Sequence, residues 1–259
     1  MNSKAKWSAQ ICVVGLCALA LKAHYSIASP DQLRWILSPT TWLVELLSGR
    51  SFSFESHAGY MSSDHCFLIA ASCAGVNFMI ASFLMLSLRV VLASRSQSIS
   101  WRFLPLTAVA AYTSTIVANT VRICIALEMQ KAAVHSELLD GGELHRLEGI
   151  VVYFAFLLML FFATEQKRTR GLAARLRQFS FPLGIYYITT LLLPVMNGAY
   201  RRRVSFWEHS LFVMLVPVVL GVLVLAFYAA VEYVKEQHQT RAKTKVRSGR
   251  EQAIQSTSQ

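Results

Sequence analysis

Long apolar runs, separated by short and mostly basic polar segments, dominate the order of residues along this chain. A helix that crosses a bilayer needs roughly 20 mainly apolar residues. Six stretches read as such spans, at about 9–28, 66–92, 103–127, 149–164, 179–200 and 209–233. Between the first two lies DQLRWILSPTTWLVELLSG, which mixes helically spaced Leu, Ile and Trp with Arg34 and Glu45. That segment, near 31–48, is too polar to span easily and predicts an interfacial or re-entrant helix. The first run also has features of a signal peptide, with small residues at Ser26 and Ala28, although Lys22 and His24 interrupt its apolar stretch. The pattern predicts an all-α, polytopic membrane bundle over 1–234 and a basic, disordered tail over 235–259.

Composition agrees with the pattern. Hydrophobic residues make up 54% of the chain and charged residues 15%, with a mean hydropathy of +0.44. A soluble domain carries about 25% charged residues, so much of this surface faces lipid. The net charge of +11 then reads as topology rather than nucleic-acid binding. Basic clusters follow the second span (Arg89, Arg95, Arg102), the fourth (Lys167 to Arg177) and the sixth (Lys235 to Arg250). Together with Lys4 and Lys6 they fall on one side, which predicts both termini in the cytoplasm. Arg201 to Arg203 break the rule: either that loop binds something anionic, or the last two segments form a hairpin that does not fully cross. No zinc-ligand spacing, phosphate-binding loop or dinucleotide fingerprint occurs, so no metal or cofactor is expected. The five cysteines lie in or beside apolar runs, unlike a secreted disulfide framework.

Span counting places the polar residues in depth. If the second span enters from outside, Cys73 lies about 10 Å below its outer end, at 1.5 Å per helical residue. The third span leaves outward through ANTVRICIALEM, bringing Arg122 within about 8 Å of the same surface. The loop QKAAVHSELLDGGELHRLEG then delivers His145 to the outer mouth of the fourth span.

Each residue has an ordinary alternative. An intramembrane Arg is costly and marks a cavity or a partner, but near a span end it can also reach the headgroups. Asn119, three residues before Arg122 on the same helical face, favours a polar groove. A buried cysteine is more often inert than reactive, and Cys12, Cys17, Cys66 and Cys124 are assigned to packing. Cys73 differs in having Ala74, Gly75 and Asn77 beside it, which allow close backbone approach and supply a polar group. His145 alone reads as an exposed loop histidine; His135 shares its loop without an apolar context to hold it, and His57 and His65 are further outer-side candidates. Together, Cys and His give a nucleophile and a base, and Arg can hold an oxyanion or a carboxylate. That set is complete for acyl transfer.

SCAG in one span, ANTVRI near the outer end of the next and HRLEG opening a third resemble the exosortase/archaeosortase family of membrane cysteine transpeptidases. The likeness runs over about 66–154, roughly a third of the chain, and looks like a short branch of the exosortase K type. Members often carry more spans, and Ala74 stands where many have Ser. The resemblance implies Cys73, Arg122 and His145 as catalytic residues, with Asn119, Gly75 and Asn77 lining the substrate site. It implies partners as well: exported proteins bearing a C-terminal motif, a hydrophobic helix and a basic cluster. Such a substrate would be cleaved through a thioester and passed to a cell-envelope acceptor, at the outer face of a bacterial inner membrane. A transporter or flippase subunit and a non-catalytic assembly factor are the readings from other classes.

Overall fold

The computed structural model describes residues 3–94, 99–132, 141–165, 172–196, 210–231 and 233–234. His135, Arg201 to Arg203 and the tail from 235 lie outside the described residues. Among the described residues six helices are long and apolar enough to cross a membrane, and the helical bundle expected from the pattern is what they form.

Helix α1 (Ser3–Ile27) is followed by the shorter α2 (Arg34–Ser48) and then by three strands, β1 (Phe52–Glu55), β2 (Gly59–Ser62) and β3 (Leu68–Ile69). Helices α3 (Val76–Ala93), α4 (Phe103–Lys131), α5 (Gly141–Ala163) and α6 (Leu172–Tyr187) come next. The last of these widens into a π-helical stretch, Ile188–Leu192, and ends with Leu193–Met196; a final helix covers Ser210–Val231.

Helix α3 is the centre of the bundle. It is 67% buried over its span, against 22% for α1, and it packs on α1, α4, α5 and α6. Its small hydroxyls are spent locally or on α4: Ser82 donates to Phe78 O at 2.9 Å, and Ser87 shares a hydrogen with Thr107 at 2.7 Å. At one end of the bundle Arg89 donates to Phe161 O at 2.7 Å and to Thr164 Oγ1 at 3.2 Å. A cation there satisfies the last carbonyls of α5 and opposes its dipole. Helix α1 runs antiparallel to α3 and is fastened at both ends. Trp7 Nε1 donates to Val91 O at 3.0 Å and Gln10 Nε2 to Ile99 O at 2.9 Å. At the other end Lys22 Nζ donates to Asn77 Oδ1 at 2.7 Å and Tyr25 Oη to Ala71 O at 3.4 Å.

Helix α2 does not span. Its 15 residues cover about 22 Å, short of the roughly 30 Å apolar core. It packs on α4 and turns Trp42, Leu46 and Leu47 outward, each more than 60% exposed, as an interfacial helix requires. Pro39 inside it removes the N–H that would bond Trp35 O, and Tyr112 Oη of α4 donates to that carbonyl instead, at 2.7 Å. The repair fixes α2 on α4.

The three-stranded antiparallel sheet, in the order β1-β2-β3, departs from the helical pattern. Its register pairs Phe54 with Tyr60 and Tyr60 with Ile69. Glu45 of α2 accepts from Phe52 N at 2.7 Å, and Ser38 shares a hydrogen with Tyr60 Oη, so the sheet sits against α2. Asp31 receives Ser56 Oγ at 3.0 Å and His57 N at 3.1 Å. The His57 amide, more than any other group, holds the Asp31 carboxyl below its ordinary value.

Two expected boundaries move. Residues 66–75 were expected to begin a helix; they form β3 and a 3₁₀ turn, Ala71–Cys73, and α3 starts only at Val76. The apolar run disguises the break, which comes at Gly75 in the left-handed region at φ 69°. Residues 141–148, expected as loop, are the first two turns of α5, so His145 sits on a helix.

Candidate functional site

Cys73 stands on the 3₁₀ turn that joins the sheet to α3. Its N–H bonds Ala70 O at 2.8 Å, and Ala74 N bonds Ala71 O at 3.1 Å. The thiol is therefore carried by a short, rigid turn at the mouth of the bundle and not about 10 Å down a helix. Of the five cysteines only Cys73 is buried. Cys12, Cys17 and Cys66 are exposed and so are not core packing; Cys124 is half-buried.

Asn119, fully buried on α4, clamps this turn. Its Nδ2 donates to Cys73 O, and its Oδ1 accepts from Tyr153 Oη of α5 at 2.7 Å. Both ends of the amide are thus spent on the protein itself. Gly75 makes the clamp possible for two reasons. Its φ of 69° is one that side chains rarely adopt, and a Cβ there would lie 3.2–3.3 Å from Thr115 Cγ2, Asn119 Cγ and Tyr153 Oη. Gly75→Ala should therefore cost about 1–3 kcal/mol. Gly15→Ala, in α1 with nothing within 4 Å of the new methyl, should be neutral or mildly stabilising. Thermal unfolding in detergent checks the pair; equal midpoints would mean that the turn is not held as described.

Arg122 lies one helical turn beyond Asn119 and bridges to α5. Nη2 meets His145 Nε2 at 2.8 Å, and Nη1 meets Tyr153 Oη at 3.5 Å. The guanidinium carbon is 5.5 Å from the Tyr153 ring centre, and Nε is 3.7 Å from Glu148 Oε2. Through Asn119 and Tyr153 the Cys73 turn is linked to Arg122. His145, Gly149 and Tyr153 are spaced by four and share one face of α5. Arg122 lies across that face. At Gly149 a Cβ would come within 3.0 Å of Arg122 Nε, so the glycine is the floor of the guanidinium site.

The charges in the group decide the tautomer. A guanidinium only donates, so His145 Nε2 accepts from it and Nδ1 carries the ring proton. The His145 side chain is 41% exposed, against 10% for Arg122 and 7% for Glu148, so the imidazole is the most accessible of the three.

Cys73, Gly75, Asn119, Arg122 and His145 are brought together, His145 joining through Arg122. Asn77 faces α1, where it accepts from Lys22. His57 and His65 occupy left-handed positions in the loops of the sheet, at φ 66° and 55°, and neither joins the Arg122 group among the described contacts. Sequence reasoning missed Tyr153 and Glu148. The four-residue spacing in HRLEGIVVY was the available signal for Tyr153. Glu148 was visible only as a neighbour of His145. Among the described residues no group of three or more His, Cys, Asp or Glu is gathered as a metal site would need.

Compared with protein-family models, with curated proteins and with solved structures, the chain gives no match.

Proposed function

We propose that this membrane protein is a cysteine transpeptidase of the exosortase/archaeosortase kind, which cleaves C-terminal sorting signals of exported proteins. The observation that carries the reading is the clamped Cys73 turn beside the Arg122–His145 contact, assembled from α4, α5 and the turn that precedes α3. Asn119 fixes the Cys73 backbone, and Tyr153 ties that clamp to the Arg122 that holds His145.

The chemistry runs in two steps. When the substrate carbonyl draws Arg122 Nη2 away from His145 Nε2, the freed nitrogen takes the Cys73 thiol proton and the thiolate attacks the scissile carbonyl carbon. Arg122 donates to the oxyanion that forms. The C–N bond breaks, the leaving amine takes the proton from His145, and a thioester remains on Cys73. An acceptor nucleophile then loses its proton to His145 and attacks the thioester, and the Cys73 thiolate that leaves takes that proton back from His145. Topology with both termini inside turns this site toward the outer face, where an exported substrate still anchored by its own helix can reach it.

Two experiments test the reading. Mass spectrometry of the enzyme, co-expressed with an exported protein bearing a motif–helix–basic tail, should find Cys73 acylated by the substrate, and hydroxylamine should release the adduct. Recovery of Cys73 only as free thiol during active turnover would exclude the thioester. Reporter fusions after Gly142 should report outside and fusions after Arg170 inside. The reverse pattern would put His145 in the cytoplasm and end the proposal.

A further inference from the structure

Glu148 has no part in the scheme above, yet it is the most confined charged group in the cluster. Its carboxylate is buried in the first turns of α5, and both oxygens lack hydrogen-bond partners among the described residues. Burying a carboxylate costs several kcal/mol unless something pairs with it. Oε2 faces two groups at nearly equal range, Arg122 Nε at 3.7 Å and His145 Nδ1 at 3.6 Å. Arg122 Nε is itself without a hydrogen bond among the described residues. Unsatisfied donors and acceptors thus converge on one spot. Since Arg122 occupies His145 Nε2, the ring proton is on Nδ1, the nitrogen that faces Glu148.

We infer that Glu148 is a positioning residue: it holds the imidazole by its Nδ1 proton, so that Nε2 is the nitrogen that takes and returns the thiol proton. The inference rests on the transpeptidase reading and adds to it. Three residues separate Glu148 from His145 on one helix, so the helix itself fixes the pair. Closing the gap by about 0.7 Å makes a hydrogen bond, a tightening common when an active site fills. While His145 carries the thiol proton, the carboxylate then balances the imidazolium charge, as the carboxylate behind the histidine does in serine hydrolases. The competing role for Glu148 is a counter-ion of Arg122 alone, which would act independently of His145.

The test is a double-mutant cycle in protein whose Cys12, Cys17, Cys66 and Cys124 have been changed to Ser. It reads iodoacetamide alkylation of Cys73 together with processing of the substrate. Glu148→Gln should slow both by about 10²-fold at unchanged membrane abundance. In a His145→Ala background the same change should add less than about twofold, because its route of action is already gone. Glu148→Asp, which keeps the charge, should recover most of the loss, and Glu148→Ala carries the cycle if the Gln variant fails to insert. Wild-type rates in Glu148→Gln would overturn the inference. So would an undiminished effect of Glu148→Gln beside His145→Ala, which would assign the carboxylate to Arg122. The underlying reading is judged separately: processing by Cys73→Ser at the normal rate would end it whatever Glu148 does. An inactive Cys73→Ser beside a wild-type Glu148→Gln would end only the role given to Glu148.

Discussion

Cys73→Ser will leave the protein folded and inserted while full-length substrate accumulates in the membrane. The replacement changes one atom on a turn whose backbone bonds, to Ala70, Ala71 and Asn119, do not involve the side chain. Stability should therefore move little. Chemistry should fall by on the order of 10³-fold, because a serine hydroxyl stays protonated near neutral pH where a thiol supplies thiolate. Serine at Cys12, Cys17 or Cys66 should be close to silent, since those side chains are exposed. The measurement is a size shift of the substrate on a gel, with a check that each variant reaches the membrane. Normal cleavage by Cys73→Ser at wild-type abundance would exclude the nucleophile and leave a transporter or an assembly factor as the better account.

Arg122→Lys should be nearly as damaging as Arg122→Ala, each lowering processing by about 10²–10³-fold. The reason is geometric. One flat group meets His145, Tyr153 and Glu148 from different nitrogens while its edge rests on Gly149. An ammonium offers the charge from a single point and cannot span those partners. If Lys keeps most of the activity, Arg122 supplies charge alone and the contacts across Gly149 are incidental. Gly149→Ala is the companion variant. It keeps the guanidinium but places a methyl 3.0 Å from Nε, so it should reproduce part of the Arg122→Lys defect.

Much of this arrangement was legible from residue order because membranes impose simple rules. Spans must be long and apolar, and the six found follow the hydropathy closely. Helix α2 was recognisable because Arg34 and Glu45 interrupt an otherwise helical apolar spacing. Asn119 and Arg122 stood out because polar groups in a span need a reason. The sheet was not legible. Strands of two to four residues leave almost no alternation to read, and Leu68 and Ile69 merge into the apolar run that leads to Cys73. The same run hid the turn, since a lone glycine reads equally well as a helix residue or as a left-handed stop. Glu148 was passed over for a different reason: one carboxylate among Glu143, Arg146 and Glu148 looks like solvated surface until the neighbouring helix covers it.

The fastening of α1 bears on how the chain is made. The carbonyl and amide groups that hold α1 belong to residues synthesised 46 to 89 positions later. At roughly 5–20 residues per second, α1 spends on the order of several seconds in lipid before those partners exist. Its two end residues suit that interval. Trp7 is at home in the interfacial belt, and Lys22 can stretch its ammonium toward the headgroups. Helix α1 thus has two successive homes during biogenesis, first the bilayer alone and then the flank of α3. The residues that later lock it in place are the ones that make the wait tolerable.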